Sequence, residues 1–381
     1  MLYFFVKMKF FHIFALAAVL IVACTPEKPK NEVSGIIQVP LPAEAAVDFD
    51  TLLQVEHMII PELTEGTALK FPYRVFWTDS LFVIFDSGLQ KILAFNHDGK
   101  FLHFYGQQGS GADDFSELKD VVVYQGKVHA YDCIGHKMLV YDLDGNLLRN
   151  IPSKFDFHSF AKADSGYWLY ATQKEQNAEG YALIHTDSDL QNVVAGFFPQ
   201  HPDFINLEHG TNFIIHNQEA FFFWPTSNVV YQLHGDEVTP YATVDFGEKT
   251  PNYGYISRQT EESVYQHYME DNHFYRFRSV HIAGNFMTFV YRRYAVSDVV
   301  TPNFAYYNRV TGTTVACPMK MATENAYLRR TFNIGETDDC LIVYSKIGNN
   351  EQLRQYVEKT YGVSAPEGCN PAFALCKPML K

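Results

Sequence analysis

Residues 81–86 (LFVIFD), 91–96 (KILAFN) and 98–102 (DGKFL) recur in the same order as 127–132 (KVHAYD), 137–142 (KMLVYD) and 144–148 (DGNLL). Asp86 then aligns with Asp132 and Gly99 with Gly145, a period of 46 residues. Self-similarity at this spacing, with several short strands in each unit, marks a propeller blade, because one such unit cannot bury its apolar faces alone and needs neighbours. The β-branched and aromatic runs are divided by Asp-Gly pairs, whose glycines supply the positive φ that tight antiparallel hairpins demand.

The rhythm continues with weaker identity. A third unit is read in residues 167–170, 181–185 and 193–198, a fourth in 212–215, 220–224, 229–233 and 241–245, and a fifth in 279–282, 286–291, 304–307 and 313–316. A sixth has only 340–344 and 371–375, and the spare apolar strand lies at the other end of the chain, in 53–60. Pairing the two chain ends in one blade hides sheet edges that an open array exposes. The expected fold is therefore all-β, a six-bladed β-propeller with N-/C-terminal strand closure and two short helical insertions. One insertion is 257–271, where Val264, Tyr265, Tyr268 and Met269 share a helical face after Glu261 and Glu262; the other is 350–361, where Leu353, Tyr356, Val357 and Tyr361 do so before Gly362.

The N-terminus has a different character. Lys7 and Lys9 precede an apolar run over 10–23 broken only by His12, the plan of a secretory signal and shorter than the roughly 20 residues a membrane-spanning helix needs. It ends in Ile21, Val22, Ala23 and Cys24, which resembles the lipobox of bacterial lipoproteins; that resemblance implies a signal peptide over 1–23 and a lipid on Cys24. Residues 25–44, rich in Pro, Lys and Glu, read as disordered, so that 24–46 is a lipidated flexible tether and 47–381 the propeller.

The chain carries 43 acidic and 30 basic side chains, a net charge of −13, which disfavours a nucleic-acid partner because phosphate binding depends on basic surface. Beyond Cys24 the cysteines are Cys133, Cys317, Cys340, Cys369 and Cys376. Cys369 and Cys376 are near enough for a local bridge and Cys317 with Cys340 is a weaker second pair, but 371–375 is also read as a strand. An extended run of seven steps spans about 23 Å against about 5.5 Å between bridged Cα atoms, so both thiols are expected free or otherwise paired.

Several stretches invite a functional reading. The Gly-rich segment 106–115 lacks the Gly-Lys-Ser/Thr ending of a phosphate loop and the alternating acids of a calcium loop, and reads as an inter-blade connection. Asp86 and Asp132 hint at a ring of carboxylates, yet an aspartate at a strand end more often caps the following turn. No zinc-ligand spacing of Cys and His and no Gly-x-Ser-x-Gly elbow is present, and no metal or cofactor is expected. Residues 253–293 gather tyrosines, histidines and arginines. They either pack an insertion onto the ring and satisfy local acids, or form a ligand site in which Tyr268, Arg276 and Arg278 read an anionic or carbonyl-rich group.

The repeats over 86–151 resemble NHL-type units. With Cys24, the run ILAFNHDGKF (92–101), GQQGSGADDF (106–115) and NPAFA (370–374), the chain resembles the NHL-like or TolB-like six-bladed β-propeller lipoproteins of Bacteroidetes. Where those have Gly-Pro-Gly-Glu-Tyr this chain has Gly111, Ala112, Asp113, Asp114 and Phe115. The resemblance implies a fold and an address in the cell envelope, and supplies no activity.

Two functions fit these observations. The first is a membrane-tethered, non-catalytic binding or scaffolding propeller that recognises a peptide, glycan or protein partner in the cell envelope; the alternative is a calcium-dependent lactonase- or lyase-like enzyme, since propellers of that kind place acids around the channel. Fold alone does not choose between them. After Cys24 the residues TPEKPK contain no acidic run of the kind that resembles a surface-export signal, which places the protein on the outer membrane facing the periplasm. Protease added to intact cells is expected to leave it whole; rapid loss would place it outside.

Overall fold

In the first repeat, residues 81–86 and 91–96 become the two middle strands of a four-stranded antiparallel sheet, and the same pattern runs around the chain. The structure, a computed structural model, describes residues 35–40, 52–171, 180–199, 211–223, 227–250, 275–293, 303–318 and 332–379. Strands β1 (Gly35–Gln38) and β2 (Leu53–Ile59) precede the first blade. Blade 1 holds β3 (Pro72–Trp77), β4 (Phe82–Asp86), β5 (Lys91–Phe95) and β6 (Phe101–Phe104); blade 2 holds β7 (Leu118–Tyr124), β8 (Lys127–Asp132), β9 (Lys137–Asp142) and β10 (Leu147–Pro152). Blade 3 is β11 (Ser159–Ala163), β12 (Gly166–Tyr170), β13 (Tyr181–Asp187) and β14 (Val193–Pro199); blade 4 is β15 (Phe213–His216), β16 (Glu219–Phe223), β17 (Val229–His234) and β18 (Glu237–Asp245). Blade 5 is β19 (Tyr275–Ala283), β20 (Phe286–Arg293), β21 (Asn303–Asn308) and β22 (Thr313–Pro318). Blade 6 combines β23 (Phe332–Glu336), β24 (Leu341–Ser345) and β25 (Ala372–Pro378) with β2.

The first strand of each blade lines the axis, and these six touch in the order β3, β7, β11, β15, β19, β23 and back to β3. Middle strands are buried on both faces, which is why Phe82, Val83, Ile84 and Phe85 form an unbroken apolar run with no alternation. Six apolar cores result among the described residues, each shared by two neighbouring blades. Val83 and Phe85 of blade 1 pack with Val121 and Leu139 of blade 2, and the last core joins Ile342 and Phe373 of blade 6 to Phe82 and Leu93 of blade 1.

Closure follows the expected route. β2 pairs antiparallel with β25, from Leu53 opposite Pro378 to Ile59 opposite Phe373. Buried Asn370 locks the joint: its Nδ2 donates to the carbonyls of Pro61, Glu62 and Thr67 at 3.1, 3.2 and 3.0 Å, and its Oδ1 accepts from the amide of Leu69 at 2.9 Å. The NPAFA motif near the C-terminus thus has a mechanical role.

Two differences from the sequence reading have physical causes. Within the segment read as a disordered tether, β1 adds a parallel strand outside β18, Gly35 opposite Ala242 to Gln38 opposite Asp245, because Ile37 and Val39 alternate inward and bury completely enough to hold it. The innermost strands β3, β7, β11 and β23 escaped a search for apolar runs, since they mix polar with apolar residues, such as Arg74 on β3 and Glu336 on β23, both on the cavity wall. Of the helices, α1 (Glu351–Tyr361) is present, with Asn350 Oδ1 accepting from Leu353 N at 3.0 Å and Gly362 at φ 69° ending it; the expected helix over 257–271 lies outside the described residues.

Removing residues 1–34 is expected to leave a soluble, cooperatively melting protein, while removing 1–60 is expected to aggregate because β25 loses its partner and presents a bare edge. Asn370→Ala, which keeps every strand, is expected to cost about 2–4 kcal/mol in denaturant unfolding through orphaned buried groups. Equal solubility of the two truncations would sink the closure.

Candidate functional site

Five of the six inner strands surround a cavity of about 610 Å³ on the axis. The turn joining the first two strands of a blade sits at its mouth, represented by Asp79 in blade 1 and Asp338 and Asp339 in blade 6. β3 delivers Arg74, Phe76 and Trp77 to the wall, β19 delivers Val280 and His281, and β23 delivers Glu336.

Trp77 and His97 make a flat pair, centroids 4.3 Å apart and planes 8° from parallel, with the edge of His57 against Trp77 at 5.3 Å. His97 Nε2 meets the carbonyl of Thr78 at 3.0 Å, and His57 Nε2 meets the carbonyl of His97 at 2.9 Å. Across the wall His281 Nδ1 lies 2.5 Å from Glu336 Oε2, tying β19 to β23. Asp338 braces the mouth: its carboxylate accepts from the amide of Asn217 at 2.8 Å and its carbonyl from the amide of Gly284 at 2.6 Å, reaching the corresponding turns of blades 4 and 5.

Farther along β3, Arg74 Nε reaches Asp120 Oδ1 on β7 at 3.2 Å and the carbonyl of Val121 at 3.2 Å. Asp120 Oδ2 in turn accepts from the amide of Phe160 on β11 at 3.1 Å, so one carboxylate joins three successive blades. Burial raises the pKa of Asp120, and Arg74 with the amide donors of Phe160 and Val121 opposes that rise. Cys340, also on the cavity wall, has its thiol pushed up to about 11, by burial first and by Glu56 second. A protonated thiol is a poor nucleophile.

Asp86 and Asp132 do not face this cavity. Each is buried and accepts three amide hydrogens at matching offsets: Asp86 from Lys70, Phe71 and Leu89, Asp132 from Ser116, Glu117 and Gly135, at 2.6 to 3.0 Å. They cap their turns, as read from the repeat, and also clasp the segment leading into the inner strand. The Gly-rich loop is held by its own contacts and by blade 2: Asp114 accepts from Gly111 N at 2.8 Å and Gln107 Nε2 at 3.0 Å, and Lys137 Nζ donates to the carbonyl of Ala112.

Of the residues singled out from sequence, Cys24 and Tyr268 lie outside the described residues. Arg276 and Arg278 belong to inner strand β19, opposite Arg292 and Val290, and Arg278 is exposed. They precede His281 on the strand by five and three positions, toward the end of the channel away from Asp338. Sequence reasoning missed Trp77, His97, His281 and Glu336. The usable signal was the offset from the repeat: inner strands lie just ahead of each recognised run, and His97 sits inside the repeated turn beside Asp98 and Gly99. Among the described residues no three His, Cys, Asp or Glu side chains converge as a metal site. Cys133, Cys340, Cys369 and Cys376 are free thiols; Cys376 is paired into β25 beside Val55 and Leu341, so the strand prevails over a bridge to Cys369.

A family model described as a domain of unknown function, DUF4934, matches residues 63–362. No curated protein matches the chain. Among solved structures, a Bacteroides fragilis protein whose export is inferred gives a TM-score of 0.74 at 16% identity, over 91% of this chain and 100% of that one. A DUF4221 family member from Bacteroides vulgatus gives 0.54 at 11% identity, over 87% and 99%. These are likenesses of fold. Virginiamycin B lyase from Staphylococcus aureus gives only 0.42 at 10% identity, over 85% and 98%, too little to carry a site across.

The thiol environments set a labelling order. At pH 8 only about one in a thousand Cys340 thiols is ionised, as follows from a pKa near 11, so iodoacetamide is expected to modify half-buried Cys133 first and Cys340 only after denaturant is added. Mass spectrometry showing Cys340 labelled as fast as Cys133 would overturn this account of the wall.

Proposed function

We propose that this chain, which belongs to the DUF4934 family, is a membrane-tethered, non-catalytic binding propeller of the cell envelope that captures a peptide, glycan or protein partner at its central channel. The observation that carries the reading is the axial cavity of about 610 Å³, a volume within the range of preformed ligand sites. Its Trp77–His97 pair offers a flat aromatic surface, and its polar groups are already braced, His281 by Glu336 and Asp338 by two neighbouring blades. Such preorganisation favours recognition, since little ordering remains to be done on binding.

Envelope placement rests on the signal-like run before Cys24 and on the inferred export of the Bacteroides fragilis protein that shares the fold. No helix of the described residues is long and apolar enough to cross a membrane, and a lipid on Cys24 supplies the anchor. Arg276 and Arg278 belong to the part of β19 that runs toward the other end of the channel, and with Tyr268, named from the sequence, they are the residues proposed to read a carboxylate or carbonyl group.

The test is capture from envelope extract on the immobilised full chain. Trp77→Leu and the pair Arg276→Ala with Arg278→Ala are each expected to reduce the captured partner at least about tenfold, the scale of one lost anchor, with melting temperatures close to the parent. Undiminished capture by both, or a melting temperature that falls by many degrees on adding chelator, rejects this reading; the second outcome favours a metal-dependent enzyme.

A further inference from the structure

A second cavity, about 200 Å³, lies in the crevice between blades 2 and 3 and shares no lining residue with the axial one. Strand register builds it. His129 on β8 stands opposite Val140 on β9, and Val140 opposite Arg149 on β10, a row across one face of blade 2; Lys127, two positions before His129, points to the same face. From blade 3, Lys162 on β11 pairs with Tyr167 on β12, and Tyr167 Oη meets His129 Nδ1 at 3.1 Å across the crevice.

Three basic side chains, Lys127, Arg149 and Lys162, therefore line a small cavity in a chain whose net charge is −13, and Asp164 is the sole carboxylate among the lining residues. Asp164 is already engaged, accepting from Tyr124 Oη and Gln125 Nε2 at 2.9 Å each. Lys162 Nζ is held 4.9 Å over the Tyr167 ring by the carbonyls of Ala163 and Gly166, which leaves one of its three hydrogens to donate. Arg149 gives Nη2 to exposed Asp189 at 2.6 Å and keeps the rest of its five-donor fork. Burial, helped by the neighbouring cations, lowers His129 to about 3, so it stands in the wall as a neutral ring; burial likewise lowers Lys162. Like charges gathered in a partly buried crevice repel one another, and an anion relieves that repulsion.

We propose that this crevice binds a small oxyanion, a carboxylate, sulfate or phosphate group, gripped by Lys127, Arg149 and Lys162. Arg149 gives the directional contact, because its planar fork matches an oxyanion edge, and Lys127 and Lys162 supply charge from either blade. The volume admits one such group and excludes a larger ligand from full burial. The site is independent of the reading of the axial channel.

Calorimetric titration of the full chain with sodium sulfate, sodium phosphate and sodium acetate, at an ionic strength fixed with sodium chloride, tests it. Saturable binding of at least one anion is expected, and the stronger ligand between acetate and the tetrahedral anions identifies the group. Lys127→Gln and Arg149→Gln, both at exposed positions, are each expected to weaken that binding at least about tenfold, the scale of a lost charged hydrogen bond. A charge-matched variant elsewhere on the surface, Lys359→Gln, is expected to bind as the parent does. No saturable binding of any of the three, unchanged affinity in the crevice variants, or equal weakening in the surface variant would each overturn the proposal.

Discussion

The pairing of β2 with β25 is the contact on which the rest of the molecule depends. Each sheet buries apolar side chains on both faces, so a blade is stable only between two neighbours, and a chain of blades remains unsatisfied at both ends until it closes. Strand pairing at the rim, the Asn370 amide with its four backbone partners, and the shared core of Phe82, Ile342 and Phe373 close it together. Without that joint, two sheet faces and one strand edge would meet solvent.

Closure also determines what the axis looks like. Inner strands meet in a ring, and at that radius there is no room for another sheet to cover them, so one face of each is left to polar side chains and a cavity. Arg74, His281 and Glu336 occupy that face, with Asp120 buried beside Arg74, and their contacts run between blades rather than within one. Polar groups here therefore brace the ring as well as line it, which is how the wall stays rigid around open space.

The buried carboxylates show how repetition misleads and informs. Asp86 and Asp132 recur because the turn they cap recurs, and the identical offsets of their three amide partners mark a geometric need repeated with each blade. The axial residues do not repeat: Trp77, His281 and Asp338 come from different blades and different positions. A site assembled once from five blades leaves no period in the sequence, whereas a scaffold device used in every blade does.

Local chemistry was sufficient for much of the fold. The 46-residue period, the Asp-Gly turns and the apolar middle strands specified blades, because hairpin geometry and two-sided burial act within a few tens of residues. The spare strand at 53–60 told that the chain ends meet, and Asn350 with Gly362 bounded α1. What only the tertiary structure decided was which residues share a space. The inner strands carry mixed polar and apolar residues that satisfy no simple period, β1 joins blade 4 from 207 positions away, as Gln38 Nε2 to Asp245 shows, and the crevice cations at 127, 149 and 162 converge only after two sheets face each other. Sequence pattern encodes what a residue needs from its near neighbours; the axial cavity and the cationic crevice arise from contacts between blades, where separation along the chain carries no information about distance in space.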